Sequence, residues 1–126
     1  MDIGCGEGKL SNFLAMALGK EVCGIDISDF KLAKAWEVAE AQGISHLVQF
    51  IQGDASHLDF LADKSFAAII SIFSLHELEN PRKVMKELRR VLRAKGRLIV
   101  VDFIPGARLK SCGAKGTMPS GKSSSC

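Results

Sequence analysis

The sequence has no tyrosine, a single tryptophan (Trp36) and three prolines in 126 residues. With so few rings among its cations it offers no stacking platform for single-stranded nucleic acid. Cys5, Cys23, Cys112 and Cys126 form no Cys-x-x-Cys pair, so neither a zinc site nor a thioredoxin-like motif has support, and no metal is expected. Reduced thiols in a cytoplasmic protein are the expectation. No apolar stretch approaches the roughly 20 residues that span a bilayer. The longest, Phe66 to Leu75, stops at ten, and no secretory leader is legible in Met1-Asp2-Ile3-Gly4. A membrane partner is not expected.

Acid is missing from one region only. Residues 104–126 hold Arg108, Lys110, Lys115 and Lys122 and no Asp or Glu. Setting those four aside leaves 13 cations against 14 acids, so the net charge of +3 comes from the tail. A near-neutral body argues against a dedicated nucleic-acid binder. With 47% hydrophobic and 25% charged residues the rest reads as one globular domain. At this length one core can form, burying roughly two thirds of the unfolded surface.

Strand-like and helix-like segments alternate. Leu10, Phe13, Leu14, Ala17 and Leu18 repeat at helical spacing, with Gly19 to end the helix. Glu21 to Asp26 reads as a short buried strand. Leu32, Ala35, Trp36 and Ala39 form a second helical stripe, capped by Ser28 or Asp29 and followed by Gly43. Leu47 to Ile51 is a strand closed by Gly53-Asp54. Phe66 to Phe73 is apolar but for Ser71, as for a strand covered on both faces. Asn80-Pro81 opens a helix with Val84, Leu88, Val91 and Leu92 on one face, ended by Gly96. Arg97 to Phe103 is a last strand. This order predicts an α/β fold, a mainly parallel doubly wound sheet with helices on both faces. The domain is expected over residues 1–103, and the Gly/Ser/Lys-rich stretch 104–126 is expected to be a flexible tail.

The chemistry lies at the strand ends, where ligands of such sheets bind. In Asp2-Ile3-Gly4-Cys5-Gly6-Glu7-Gly8 the glycines let backbone amides approach a ligand, and the following helix aims its amino end at the same point. The spacing is G-x-G-x-G. A dinucleotide fingerprint needs its third glycine where Lys9 stands, and no Walker lysine pattern occurs. Asp26, 18 residues after Gly8, ends the next strand, where a carboxylate can accept from both hydroxyls of a ribose. Gly53-Asp54-Ala55 follows the third strand, where a carboxylate can accept from an adenine amino group.

These residues, with Gly24-Ile25-Asp26-Ile27-Ser28 and Phe66 to Leu78, resemble the ordered motifs of class I S-adenosylmethionine-dependent methyltransferases. The nearest subgroup is the one resembling ubiquinone and menaquinone biosynthesis enzymes. The resemblance runs from Asp2 to about Phe103. It implies a Rossmann-like sheet, S-adenosylmethionine as cofactor and a small-molecule methyl acceptor. Asp2, Gly4, Gly6 and Gly8 would hold the methionine end. Asp26 would bind the ribose, with Ile27 beside the adenine, and Asp54 and Ala55 would read the base. Ser71 would meet the methionine amino group, largely through backbone. Leu75 and His76 would lie near the transferred methyl, and His76 is the candidate general base. Ala67 departs from the family, where an acid often follows the aromatic residue.

The resemblance also implies more strand before the glycine turn, and a helix and two strands after Phe103. The chain is therefore expected to be truncated at both ends. Two other readings stay open: a non-catalytic remnant that keeps the motifs, and a nicotinamide-dependent oxidoreductase, which loop spacing disfavours. His46 and His57 are expected to be solvated. The cationic run from Arg82 to Arg97, with Glu87 its lone acid, is expected to be the solvated face of a helix.

Overall fold

Hydrogen bonds at the helix starts set the layout. The Ser28 hydroxyl accepts from Lys31 N–H at 3.3 Å, and Asn80 Oδ1 accepts from Lys83 N–H at 3.2 Å, with Pro81 in the first turn. The computed structural model describes residues 1–75 and 78–102. In order these form β1 (Asp2–Ile3), α1 (Lys9–Leu18), β2 (Val22–Asp26), α2 (Asp29–Ala41), β3 (Val48–Gln52), β4 (Phe66–Ile72), α3 (Pro81–Val91) and β5 (Leu92–Val101). A single 3-10 turn, Ser45–Leu47, precedes β3.

The five strands are parallel, in the order β3-β2-β1-β4-β5. β1 is central: Asp2 pairs with Gly24 on one side and Ile70 on the other, and Ile3 with Ile25 and Ser71. Chain order reverses on either side of β1, which makes its carboxyl end the switch point of a Rossmann-like sheet. One core lies between the sheet and α3, joining Ile3, Ile25 and Ile69 to Val84, Leu88 and Val91. The other lies under α1 and α2, where Ala15, Leu32, Ala35 and Ala39 meet Val48 and Phe50. The Trp36 ring stands edge-on to Phe50, with centroids 5.1 Å apart.

Several sequence expectations change. The buried residues of α1 are Ser11, Asn12 and Ala15, not its leucine stripe: Phe13 is 66% and Leu18 62% exposed. Small residues are what a helix can present where it lies close to another, and Asn12 Nδ2 reaches Ala35 O on α2 at 3.2 Å. α3 stops at Val91, five residues short of Gly96, because β5 starts at once and pairs Leu92 with Phe66. Gly96 lies inside β5, close to the register shift between Phe66 and Ala68, where an added Cβ would stand 2.5 Å from the Leu92 side chain. β4 is not covered on both faces. Ala68 and Ile72, like Ile99 and Val101 on β5, are exposed. The expected end of the last strand at Phe103, and the tail 104–126, lie outside the described residues.

The cationic run on α3 resolves into three stripes. Val84, Leu88 and Val91 face the core. Arg82, Lys86 and Arg89 are exposed, as expected. Lys83, Glu87 and Arg90 share a third stripe that faces the connection between β3 and β4.

Candidate functional site

Backbone hydrogen bonding builds the glycine turn. Ile25 O accepts from Gly4 N–H at 2.8 Å and Cys5 N–H at 3.1 Å, so the chain leaving β1 folds back over the end of β2. Gly4, Gly6 and Gly8 all take positive φ (70°, 54° and 78°). Two of them show different needs. A Cβ on Gly8 would stand 2.6 Å from the Ala35 Cβ and 3.0 Å from the Phe50 ring, so this glycine lets α1 pack on its neighbours. A Cβ on Gly6 would meet nothing within 4 Å. The space above Gly6 is open to a ligand.

Asp26 ends β2, half-buried. Its Oδ2 accepts from Gly6 N–H at 2.8 Å and its Oδ1 from Ser28 N–H at 2.9 Å. One carboxylate thus ties together the glycine turn and the start of α2. Each oxygen keeps a further lone-pair site, as a pair of ribose hydroxyls requires. Ile27 beside it is 72% exposed.

Asp54 lies just beyond β3 and is exposed. Its Oδ1 accepts from Ser56 N–H at 2.9 Å and Ser56 Oγ at 2.8 Å, and these bonds, the backbone one first, hold its pKa below the ordinary value. Oδ2 is 3.7 Å from His57 Nδ1. Ala55 is buried in the core facing α3. Gly53 N–H donates to Asp26 O at 3.0 Å, so the two acids are neighbours across the strand ends.

Asp2 sits beneath the turn. It is buried, its Oδ2 accepts from Ser11 Oγ at 2.7 Å, and burial raises its pKa. Ser71 is fully buried at the end of β4, its hydroxyl 2.6 Å from that of Ser74, which donates to Ile3 O at 3.0 Å. This chain joins the ends of β1 and β4. Burial pushes the Cys5 thiol up to about 12, a poor thiolate nucleophile. Leu75 is half-buried against the core facing α3. His76 lies outside the described residues.

The structure therefore gathers Asp2, Gly4, Gly6, Gly8, Asp26, Ile27, Asp54, Ala55 and Ser71 around the carboxyl ends of β1, β2, β3 and β4. A cavity of about 1160 Å³ lies at the opposite, amino end, lined by Met1, Cys23, Phe66 and Ile70, away from this cluster. Among the described residues no group of three or more acids, histidines or cysteines is placed to hold a metal.

Sequence reasoning missed three contributors. Ser11 and Ser74 carry no local signal, because their partners are nine and 71 residues away. His57 is not simply solvated: its Nδ1 lies 2.9 Å from Ser56 Oγ and its Nε2 meets Lys83 Nζ. The helical spacing of Lys83, Glu87 and Arg90 is the pattern that could have revealed the third stripe of α3.

An open parallel sheet with a glycine turn and an acid at successive strand ends defines a nucleotide-binding α/β domain. The chain belongs to the methyltransferase domain family, whose model matches residues 1–100. It is 38% identical over 104 residues to methyltransferase GfsG of Streptomyces halstedii, covering 82% of this chain and 37% of that protein. It is 36% identical to the demethylmenaquinone methyltransferase of Thermotoga maritima, covering 83% and 43%. The solved SAM-dependent methyltransferase from Aquifex aeolicus superimposes with a TM-score of 0.75 at 28% identity, covering 86% of this chain and 58% of that one. The chain spans less than half the length of those two curated relatives. The cofactor that the family implies is S-adenosylmethionine, and the open glycine turn and the double-acceptor Asp26 fit it.

Proposed function

We propose that this domain binds S-adenosylmethionine across the ends of β1, β2 and β3 and presents its methyl group to a small-molecule acceptor. The Gly6 N–H to Asp26 Oδ2 hydrogen bond supports this most directly, because it sets a ribose-binding carboxylate beside an open glycine turn. Asp26 accepts from the ribose hydroxyls. Asp54 accepts from the adenine amino group, Ala55 N–H donates to the ring, and Ile27 covers its face. The turn from Gly4 to Gly8 cradles the methionine end, with Asp2 bracing it from below through Ser11. Ser71 offers backbone to the amino group.

The bound sulfonium supplies an activated methyl and leaves as a neutral thioether. The protein's contribution is then chiefly to hold nucleophile, methyl and sulfur in line. A base is needed only if the acceptor must lose a proton, and His76 is assigned that role.

Calorimetry with S-adenosylhomocysteine is the test. Micromolar binding, lost in Asp26→Ala, is the expected result; a folded sample that does not bind overturns the proposal. Binding without turnover of any acceptor favours the non-catalytic reading. Displacement of the bound nucleoside by NADH favours the oxidoreductase.

A further inference from the structure

α3 does more for the site than complete the sheet crossover. Arg90 donates from Nε to Glu87 Oε1 at 3.0 Å and from Nη2 to Glu87 Oε2 at 3.2 Å. The same guanidinium donates from Nη2 to Leu58 O at 2.8 Å, and from Nη1 to Leu61 O at 2.8 Å and Asp63 Oδ1 at 2.7 Å. Glu87 Oε2 in turn accepts from Leu58 N–H at 2.8 Å. Both backbone poles of Leu58 are thus held from one helix, while its side chain is fully buried in the core.

Leu58 closes a short turn that begins at Asp54. His57 N–H donates to Asp54 O at 2.9 Å, and Gly53 N–H to Asp26 O at 3.0 Å. The segment is pinned at β3 by Asp26 and at Leu58 by α3, and the exposed Asp54 carboxylate lies between the pins. We propose that Glu87 and Arg90 are positioning residues for adenine recognition, fixing the turn that presents Asp54 and Ala55. This rests on the assignment of that turn to the adenine.

The argument is one of pre-organisation. A turn released from Leu58 must be ordered by the ligand itself, and that cost is subtracted from affinity. The geometry also demands arginine: five hydrogen bonds leave one planar fork in fixed directions, which a lysine ammonium cannot reproduce. A role confined to folding would lower the melting temperature and leave base selectivity intact.

Calorimetry on the full chain therefore compares S-adenosylhomocysteine with S-inosylhomocysteine, in which a carbonyl replaces the adenine amino group. The parent is expected to favour the adenosyl compound about tenfold or more, the effect of one lost hydrogen bond to a charged group. In Arg90→Lys that preference falls towards unity and adenosyl affinity drops about tenfold. Asp54→Asn added to Arg90→Lys costs little more, because the pair acts through one contact. Asp63→Ala, which removes only the acceptor at the exposed arm of the fork, gives a smaller loss and serves if Arg90→Lys does not fold. A folded Arg90→Lys with undiminished preference for the adenosyl compound overturns the positioning role, as does an unchanged preference in Asp63→Ala should only that variant fold. A parent that binds both compounds equally overturns the adenine assignment, and the inference with it.

Discussion

Gly6 donates its backbone N–H to Asp26 Oδ2 at 2.8 Å, across 20 residues of sequence. The bond couples two motifs that the sequence offers separately: the turn shapes the acid, and the acid holds the turn. Asp26→Asn has one acceptor oxygen where two are needed, for Gly6 and Ser28. Thermal melts should show a loss of about 1–2 kcal/mol, and hydrogen exchange at the Gly6 amide should accelerate.

The glycines of the turn should respond differently. Gly8→Ala forces a methyl against Ala35 and Phe50 at positive φ, and should cost about 2–4 kcal/mol in denaturant melts. Gly6→Ala meets no protein atom and should cost about 1–2 kcal/mol for its backbone angle. Its larger effect should be on nucleoside affinity, since its methyl enters the space a ligand needs.

Two acids should give opposite pH signatures. Burial raises the pKa of Asp2, so over the window between its unfolded and folded values the native chain holds more proton, and stability falls as pH rises. Asp2→Asn, which can still accept from Ser11, should be at least as stable as the parent near neutrality, with the difference fading below about pH 4. The side-chain bond to Arg90 lowers the pKa of Glu87, so its contribution is present above its unfolded value and lost as pH falls through the folded one. Glu87→Gln should flatten that acid limb. Melting curves across the acid range check both.

Ser74→Ala removes the link from Ile3 O to Ser71 and leaves the buried Ser71 hydroxyl without its partner. A loss of about 1–3 kcal/mol is expected in thermal unfolding.

The parts of the fold legible in the sequence are those with local signals. Ser28 and Asn80 announce helix starts, Asp26 ends its strand two residues before the capping Ser28, and Asp54 follows Gly53 just past the end of β3. The mainly parallel, doubly wound character of the sheet followed from alternation and from the family resemblance. What local signals did not carry was which face a segment buries. α1 looked like a leucine stripe and buries serine, asparagine and alanine, because its neighbours leave little room. β5 starts five residues before expected because pairing with β4 outcompetes continuation of the helix. Arg90 read as a solvated cation because, apart from Glu87 one turn before it, its partners Leu58, Leu61 and Asp63 lie about thirty residues away.

β1 pairs with β2 on one side and β4 on the other, and among the described residues it is what joins the two halves of the sheet. The β3-β2 half carries the acids assigned to ribose and base; the β4-β5 half carries Ser71 and leads into α3. This central splice thus transmits alignment between them. Any slackening there would misregister one end of a bound nucleoside against the other without melting either half, so ligand grip and the integrity of that splice should rise and fall together.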